Sequence, residues 1–320
     1  MAVQPLAGLL VVDFSRYLPG PFATRELRRL GARVVRIEPP EGDPTRFGTP
    51  GWDAAINAGK ESVCANLRTD DGLGLANALC TRADVVVDGF RPGVLERLGV
   101  RFPERAVVCA ITGFGPASDR AGHDLNYAGW AGLLADVAPA LPPVQVADLC
   151  AGSLGAVTEI LAALLERERT GRGRRLEISM THGSHRLAAH RLGGEPIPKL
   201  LTGGLACYRI YATADGRHLT VGALEPKFFG RLCELLERPQ LAECQYDPEL
   251  QDELAADLAR AFAQRPLAAW LERFEGEDVC VGPVATLEEA AAELGPEPPA
   301  GRAPALGEHT DAWRAELGLA

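Results

Sequence analysis

The sequence predicts an α/β protein: a large, Rossmann-like domain on a parallel sheet, followed by a smaller α+β domain. Three observations predict this. Short apolar runs alternate with helical patterns from residue 6 to about residue 180. The alternation then breaks at a stretch punctuated by Gly193, Gly194, Pro196, Pro198, Gly203 and Gly204. Beyond it, Asp215-Gly216 stands between two strand-like runs, the signature of a hairpin. A chain of 320 residues, 47% of them hydrophobic, is long enough for two buried cores.

Residues 6–14 (LAGLLVVDF) form an apolar run that ends in polar residues, as a buried strand does. The Pro/Gly turn Leu18–Pro21 leads into a helical pattern, Phe22–Leu30, stopped by Gly31, and Arg33–Glu38 is a second strand. Strand, helix and strand at this spacing form a βαβ unit, which requires a parallel neighbour and a right-handed crossover. The pattern continues with a strand at Ser62–Leu67, a helix at Asp71–Arg82, a strand at Asp84–Asp88 and a short helix at Val94–Leu98. A strand at Ala106–Thr112, a long helix at Gly152–Arg169 and a strand at Arg175–Met180 complete the first domain. In the second, strands Cys207–Thr213 and His218–Gly222 precede helices at Pro226–Leu236, Pro248–Gln264 and Pro266–Phe274. A strand at Val279–Val284 and a helix at Leu287–Leu294 follow. The expected boundaries are 1–185 for the large domain, 186–205 for a linker and 206–299 for the small domain. Residues 300–320, after the Pro-rich Gly295–Pro304, return to the first.

Composition excludes several functions. The formal net charge of −10 lacks the basic footprint of a nucleic-acid binder. No apolar run in the sequence approaches the ~20 residues of a membrane span, and the run at Leu6–Val12 has no basic residue before it. The eight cysteines form no C-x-x-C pair and no zinc spacing, which reads as buried free thiols in a reducing, cytoplasmic compartment. Of 33 basic residues only Lys60, Lys199 and Lys227 are lysines, leaving 30 arginines. Any anion held by a side chain will mostly meet the planar arginine fork.

The first strand–helix turn, DFSRYLPGPF, carries a single Gly20 between two prolines. It lacks the G-x-G-x-x-G that lets backbone approach a dinucleotide pyrophosphate, and a Walker A loop is absent too. It can still line a crevice at the carboxyl ends of the strands. The densest polar cluster is AGHDLNYAGW, containing His123, Asp124, Asn126 and Tyr127. A histidine followed by aspartate there is either a helix cap or an acid–base group. Asp148 and Glu225 each stand immediately before a predicted helix, where a carboxylate either caps the helix or is held ionised for chemistry. A histidine with two carboxylates supplies acid–base groups near neutral pH. Spacing leaves both readings open.

Blocks along the whole chain resemble the class III CoA-transferase superfamily, the CaiB/BaiF type. They include LPGPFATRELRRLGARVVRIEPPEGDPTR, ADVVVDGFRPGVLERLG, ITGFG, GHDLNY, LLERERTGRGRRLEISM, YATADGRHLTVGALEPKFF, EDVCVGPVATLEEA and LGEHTDAWRAELGL. GHDLNY and VGALEPKF are similar to the α-methylacyl-CoA racemase subfamily. The transferases usually differ at the position of His123 and carry a longer glycine run in the linker.

The resemblance implies racemisation of 2-methylacyl-CoA thioesters by 1,1-proton transfer. His123 and Asp148 would be the two acid–base groups, Glu225 the partner of the imidazole, and the Asp124 backbone N–H the donor to the enolate oxygen. It implies CoA contacts at Ala65, Leu67, Arg68, Gly89, Phe90, Arg91 and Arg97, and around Gly122, Asn126 and Tyr127. The arginine expected two residues after Ile37 is Pro39 here, so Arg36 or Arg46 is the expected substitute. CoA enters as part of the substrate, and no metal or redox cofactor is required. The family architecture is an interlocked homodimer, with no nucleic-acid or membrane partner, in which Glu225 comes from the second chain. The alternatives are a CoA-transferase acting through an Asp148 acyl anhydride, and a non-catalytic acyl-CoA-binding protein.

Overall fold

A computed structural model describes residues 4–194, 197, 199–295 and 301–319. Linker residues Pro196 and Pro198 lie outside the described residues, as do residues 296–300 of the Pro-rich segment. The chain forms two compact units, Met1–Ala189 with Pro298–Ala320, and His190–Glu297.

The first unit carries a six-stranded, wholly parallel sheet in the order β3-β2-β1-β4-β5-β6. The strands are β1 (Leu10–Asp13), β2 (Arg33–Glu38), β3 (Glu61–Cys64), β4 (Val85–Asp88), β5 (Val107–Thr112) and β6 (Arg175–Ser179). Between them run α1 (Pro19–Arg29), α2 (Thr45–Gly48), α3 (Pro50–Asn57), α4 (Asp70–Arg82), α5 (Val94–Arg97) and α6 (Asp124–Trp130). A π-helical segment, Ala147–Leu154, runs directly into α7 (Gly155–Thr170), and α8 (Met180–Leu187) and α9 (Ala189–Leu192) follow β6. Strand order reverses between β1 and β4, the point outside whose carboxyl ends an open α/β sheet binds ligands.

The sheet is valine-rich because both faces are covered. Val11, Val34, Val85 and Val107 pack with Leu27, Ile160 and Leu164 on one side, and Val12, Val35, Val86 and Val108 with Leu75 and Leu79 on the other. The helix ends follow local chemistry. Pro19 opens α1 in its first turn, and Thr69 caps α4 by accepting the Gly72 N–H at 3.2 Å, with Asp70 and Asp71 behind it. The terminal α14 (Thr310–Leu317) lies on β3, where fully buried Trp313 donates to Glu61 at 2.6 Å beneath the Arg33 guanidinium.

The second unit has a three-stranded antiparallel sheet, β7 (Tyr208–Ala212), β8 (His218–Gly222) and β9 (Val281–Pro283). Its helices are α10 (Pro226–Leu235), α11 (Gln251–Phe262), α12 (Leu267–Arg273) and α13 (Leu287–Leu294), with a 3-10 turn at Pro239–Cys244. The Asp215-Gly216 hairpin forms as expected: the Thr213 N–H bonds the Arg217 carbonyl, and Gly216 has φ +74°.

Several expectations are revised. Strand β1 starts at Leu10 because residues 5–8 turn, and β3 ends at Cys64 because Asn66 accepts the Arg68 N–H and starts a turn. Helices α2, α3, α8, α9 and α14 were not expected, and α9 falls in the stretch expected to be linker. Their sequences are interrupted by Gly and Pro or are too polar to show a helical period. Four cysteines are buried, Cys64, Cys150 and Cys244 are partly exposed and Cys280 is exposed, and all eight are free. The run Ala147–Thr170 is, by length and composition, apolar enough to cross a membrane, contrary to the sequence reading. Here its face Ala156, Val157, Ile160, Ala163 and Leu164 is buried in the core.

Beneath the carboxyl ends of β1 and β2 lies a buried ionic network. Lys60 Nζ donates to the Pro21 carbonyl, Thr24 Oγ1 and Asn57 Oδ1 at 2.7–2.8 Å and stands 3.7 Å from Asp13. Asn57 continues to Asp53, and Asp53 to Arg36. Burial pushes the Lys60 ammonium down to about 7, against the pull of Asp13. Lys60→Met removes the cation while Asp13 stays buried, so at pH 6 urea denaturation should show a loss of about 3 kcal/mol or more.

Candidate active site

Three loops leaving the carboxyl ends of β1, β4 and β5 enclose a cavity of about 360 Å³. They bring Arg16, Tyr17 and Gly20, then Gly89, Phe90 and Arg91, then Phe114, Arg120, Gly122 and His123 to its wall, where Asp148 joins them. The first loop is tight. A Cβ on Gly20 would lie 2.0 Å from Ser15 Oγ, so only glycine lets the chain double back there.

His123 occupies the N-cap position of α6 in extended conformation, with its N–H on Asn126 Oδ1 at 3.0 Å. Asp124 follows as the first helical residue, and its carboxylate accepts the Asp148 N–H at 2.9 Å. That bond ties α6 to the π-helical segment. Ser153 Oγ reinforces the segment from behind, within bonding distance of the Pro19 and Asp148 carbonyls at 2.6 and 2.9 Å. A π-helical turn widens the backbone locally and is frequent at functional sites. Its close fit to α8 depends on Gly183, where a Cβ would meet the Ala151 Cβ at 2.9 Å.

Asp148 is therefore not a helix cap. It sits one residue inside the segment, half-buried, where burial first and the Asp124 charge second push its carboxyl up to about 7. Burial and the same two carboxylates raise the Tyr127 phenol, whose hydroxyl donates to the Gly122 carbonyl. Glu225 belongs to the second unit. It precedes Pro226 at the N-cap of α10, exposed, and its side chain makes no capping hydrogen bond.

A second cavity of about 640 Å³ adjoins the first and shares Arg16 and Phe90 with it. The strand-end segments Glu38–Glu41 and Ala65–Arg68 form its walls. Of the expected CoA contacts, Ala65, Leu67, Arg68 and Phe90 line this cavity, while Gly89, Phe90, Arg91, Gly122 and Tyr127 line the first. Asn126 is engaged in closing the first turn of α6, and exposed Arg97 donates to the Pro92 carbonyl at 3.2 Å. Neither of these two lines either cavity.

The expectation for Arg36 is corrected. It is 2% exposed, with Asp53, Asp43 and Glu38 at 3.0, 3.4 and 3.5 Å, so its guanidinium is saturated inside the protein. Arg46 is engaged as well, in a fork on Glu38 at 2.6 and 2.7 Å. Sequence reasoning missed Arg16, Phe114 and Arg120. The signal for Arg16 was its place in the turn after the first strand. Arg120 lies over the rings of Phe114 and Trp130 at 5.5 and 4.6 Å, an arrangement that sequence does not announce. Among the described residues no cluster of three or more His, Cys, Asp or Glu could hold a metal ion.

The raised Asp148 carboxyl has a stability consequence. Between its ordinary range and pH 7 the native state holds a proton that the unfolded chain has released, so this group's contribution falls as pH rises. Asp148→Asn should therefore gain stability over the wild type at pH 8 and little at pH 4, measured by thermal unfolding. Carbon-13 titration should place the Asp148 carboxyl near 7, and Asp124→Asn should move it toward acid.

The family model of CoA-transferase family III matches residues 6–310. Human (Homo sapiens) α-methylacyl-CoA racemase is 33% identical over 313 residues, covering 89% of this chain and 78% of that protein. Succinyl-CoA:glutarate CoA-transferase of Mus musculus is 32% identical over 327 residues, covering 91% and 74%. Among solved structures, a CaiB/BaiF family protein from Brucella suis superposes with a TM-score of 0.83 at 28% identity, covering 99% of this chain and 100% of that one. With a parallel sheet of matching architecture and a family match along nearly its whole length, this chain belongs to CoA-transferase family III.

Proposed function

We propose that this protein inverts the α-carbon of 2-methylacyl-CoA thioesters by two-base proton transfer. The observation that carries the reading is His123 and Asp148 on the wall of one cavity, with the Asp148 carboxyl raised to about 7. Neutral His123 takes the α-proton, and the C–H electron pair passes into the thioester to form an enolate. Protonated Asp148 returns a proton to the opposite face, leaving imidazolium and carboxylate poised for the other enantiomer. The enolate oxygen needs a fixed donor. We assign it to the Asp124 N–H, since the first N–H of a helix has no acceptor within the helix. As the resemblance implies, the partner's Glu225 orients the imidazole in a homodimer, and neither metal nor redox cofactor takes part.

A carboxyl near 7 holds a proton about half the time at neutral pH, which suits an acid–base pair sharing one proton. It suits less well a nucleophile that must be ionised. The second reading, CoA transfer through an Asp148 acyl anhydride, is favoured by the 32% identity to the glutarate transferase, close to the 33% to the racemase.

The test is incubation with a 2-methylacyl-CoA in deuterated water. Deuterium should enter the α-position, and His123→Ala or Asp148→Asn should each slow entry by about 10²–10⁴-fold. The pair must carry one proton in either direction, so kcat/KM for both enantiomers should trace the same bell-shaped pH profile. An absence of exchange, with CoA transfer to added carboxylic acids and trapping by hydroxylamine, would establish the transferase instead. Tight binding of the thioester with neither reaction would identify a non-catalytic acyl-CoA-binding protein.

A further inference from the structure

If the ligand is a CoA ester, as proposed above, its phosphates must be met by cations, and the position at Pro39 supplies none. Pro39 lines the larger cavity but carries no charge, and its two nearest substitutes in sequence, Arg36 and Arg46, are held by carboxylates. Arg16 differs from both. It lines the larger and the smaller cavity alike, and among the described residues it has no carboxylate partner. Its guanidinium lies over the Phe90 ring, 5.2 Å from the centroid, which directs it without neutralising it.

The backbone on either side of Arg16 is anchored to the buried network. The Ser15 N–H donates to Asp13 at 2.9 Å, and the Tyr17 N–H to Asp43 at 3.2 Å. Tyr17 has φ +65°, a left-handed conformation that non-glycine residues rarely adopt. That strain persists only where the surroundings impose it, and such residues cluster at ligand-binding sites. The loop is thus built to present the intervening side chain.

CoA is a nucleotide joined through a pyrophosphate to pantetheine, with the thioester at the far end. A guanidinium shared by a large outer cavity and the cavity of His123 and Asp148 stands where the two halves of such a molecule meet. We propose that Arg16 binds the pyrophosphate of the CoA ester, supplying from the β1 loop the charge that position 39 lacks. The 3′-phosphate, on the nucleotide half, is then left to other residues of the larger cavity such as Arg68.

Titration calorimetry with CoA and with 3′-dephospho-CoA tests this on the full chain. Arg16→Gln should weaken both ligands alike by about 10–100-fold, the worth of a charge-assisted hydrogen bond or two. Its melting temperature should stay near that of the wild type, since Arg16 belongs to no ion pair among the described residues. Adding Pro39→Arg to Arg16→Gln should restore much of the affinity. Unchanged binding by Arg16→Gln would overturn the proposal, as would a loss confined to CoA, which would assign Arg16 to the 3′-phosphate. Failure of the wild type to bind either ligand would remove the CoA-ester reading itself, and the assignment of Arg16 with it.

Discussion

The constraint on which the rest of the structure depends is the chain of buried charges under the carboxyl ends of β1 and β2. Asp13 ends β1 and accepts from Ser15 and Thr24, Lys60 joins it from below, and Asn57 and Asp53 carry the chain to Arg36. Arg36 reaches Asp43, and Glu38 receives both Arg46 and Ser62. Each charge is closed in and therefore requires its partner, so removing one leaves another uncompensated. Such a network selects one arrangement of the loops above it. Those loops form the floor and shared edge of the two cavities.

The same logic explains how two aspartates of the first unit differ. Asp13 has donors on both oxygens and a cation beside it, while Asp148 has burial and the like charge of Asp124. One environment surrounds the carboxyl with donors. The other raises the carboxyl to about 7, through burial and the like charge beside it. Sequence types alone do not distinguish the two aspartates, because what separates them is the number of donors folding brings to each.

Much of the fold was legible because burial imposes a period. Strands covered on both faces read as valine runs, such as Val85–Val87, and capped helices announce themselves, as Thr69 does before Asp70. The segments that escaped are those whose order comes from contacts rather than pattern. MTHGSHRL at α8 has only Met180 and Leu187 as large apolar residues, and its fit depends on Gly183 meeting Ala151. The π-helical segment at Asp148 reads as an ordinary helix start, since its extra width comes from packing against α1 and α8. Within the candidate site, His123, Asp148 and the GFRPG turn were legible as motifs. Arg16 and Arg120 were not, since a loop arginine has no period and the rings each lies over, Phe90 for the first and Phe114 and Trp130 for the second, are brought to it by folding.

The sequence by itself determined the alternation of strand and helix, the hairpin of the second unit and the family. These follow from local chemistry and from spacing, which the chain carries without folding. Only the tertiary structure decided which arginine lines a cavity and which is held inside. Arg36 lies within β2 and Arg16 in the loop after β1, yet folding surrounds the first with carboxylates and leaves the second over an aromatic ring. A guanidinium is defined by what lies within a few ångströms of it, and distant segments of the chain supply those neighbours.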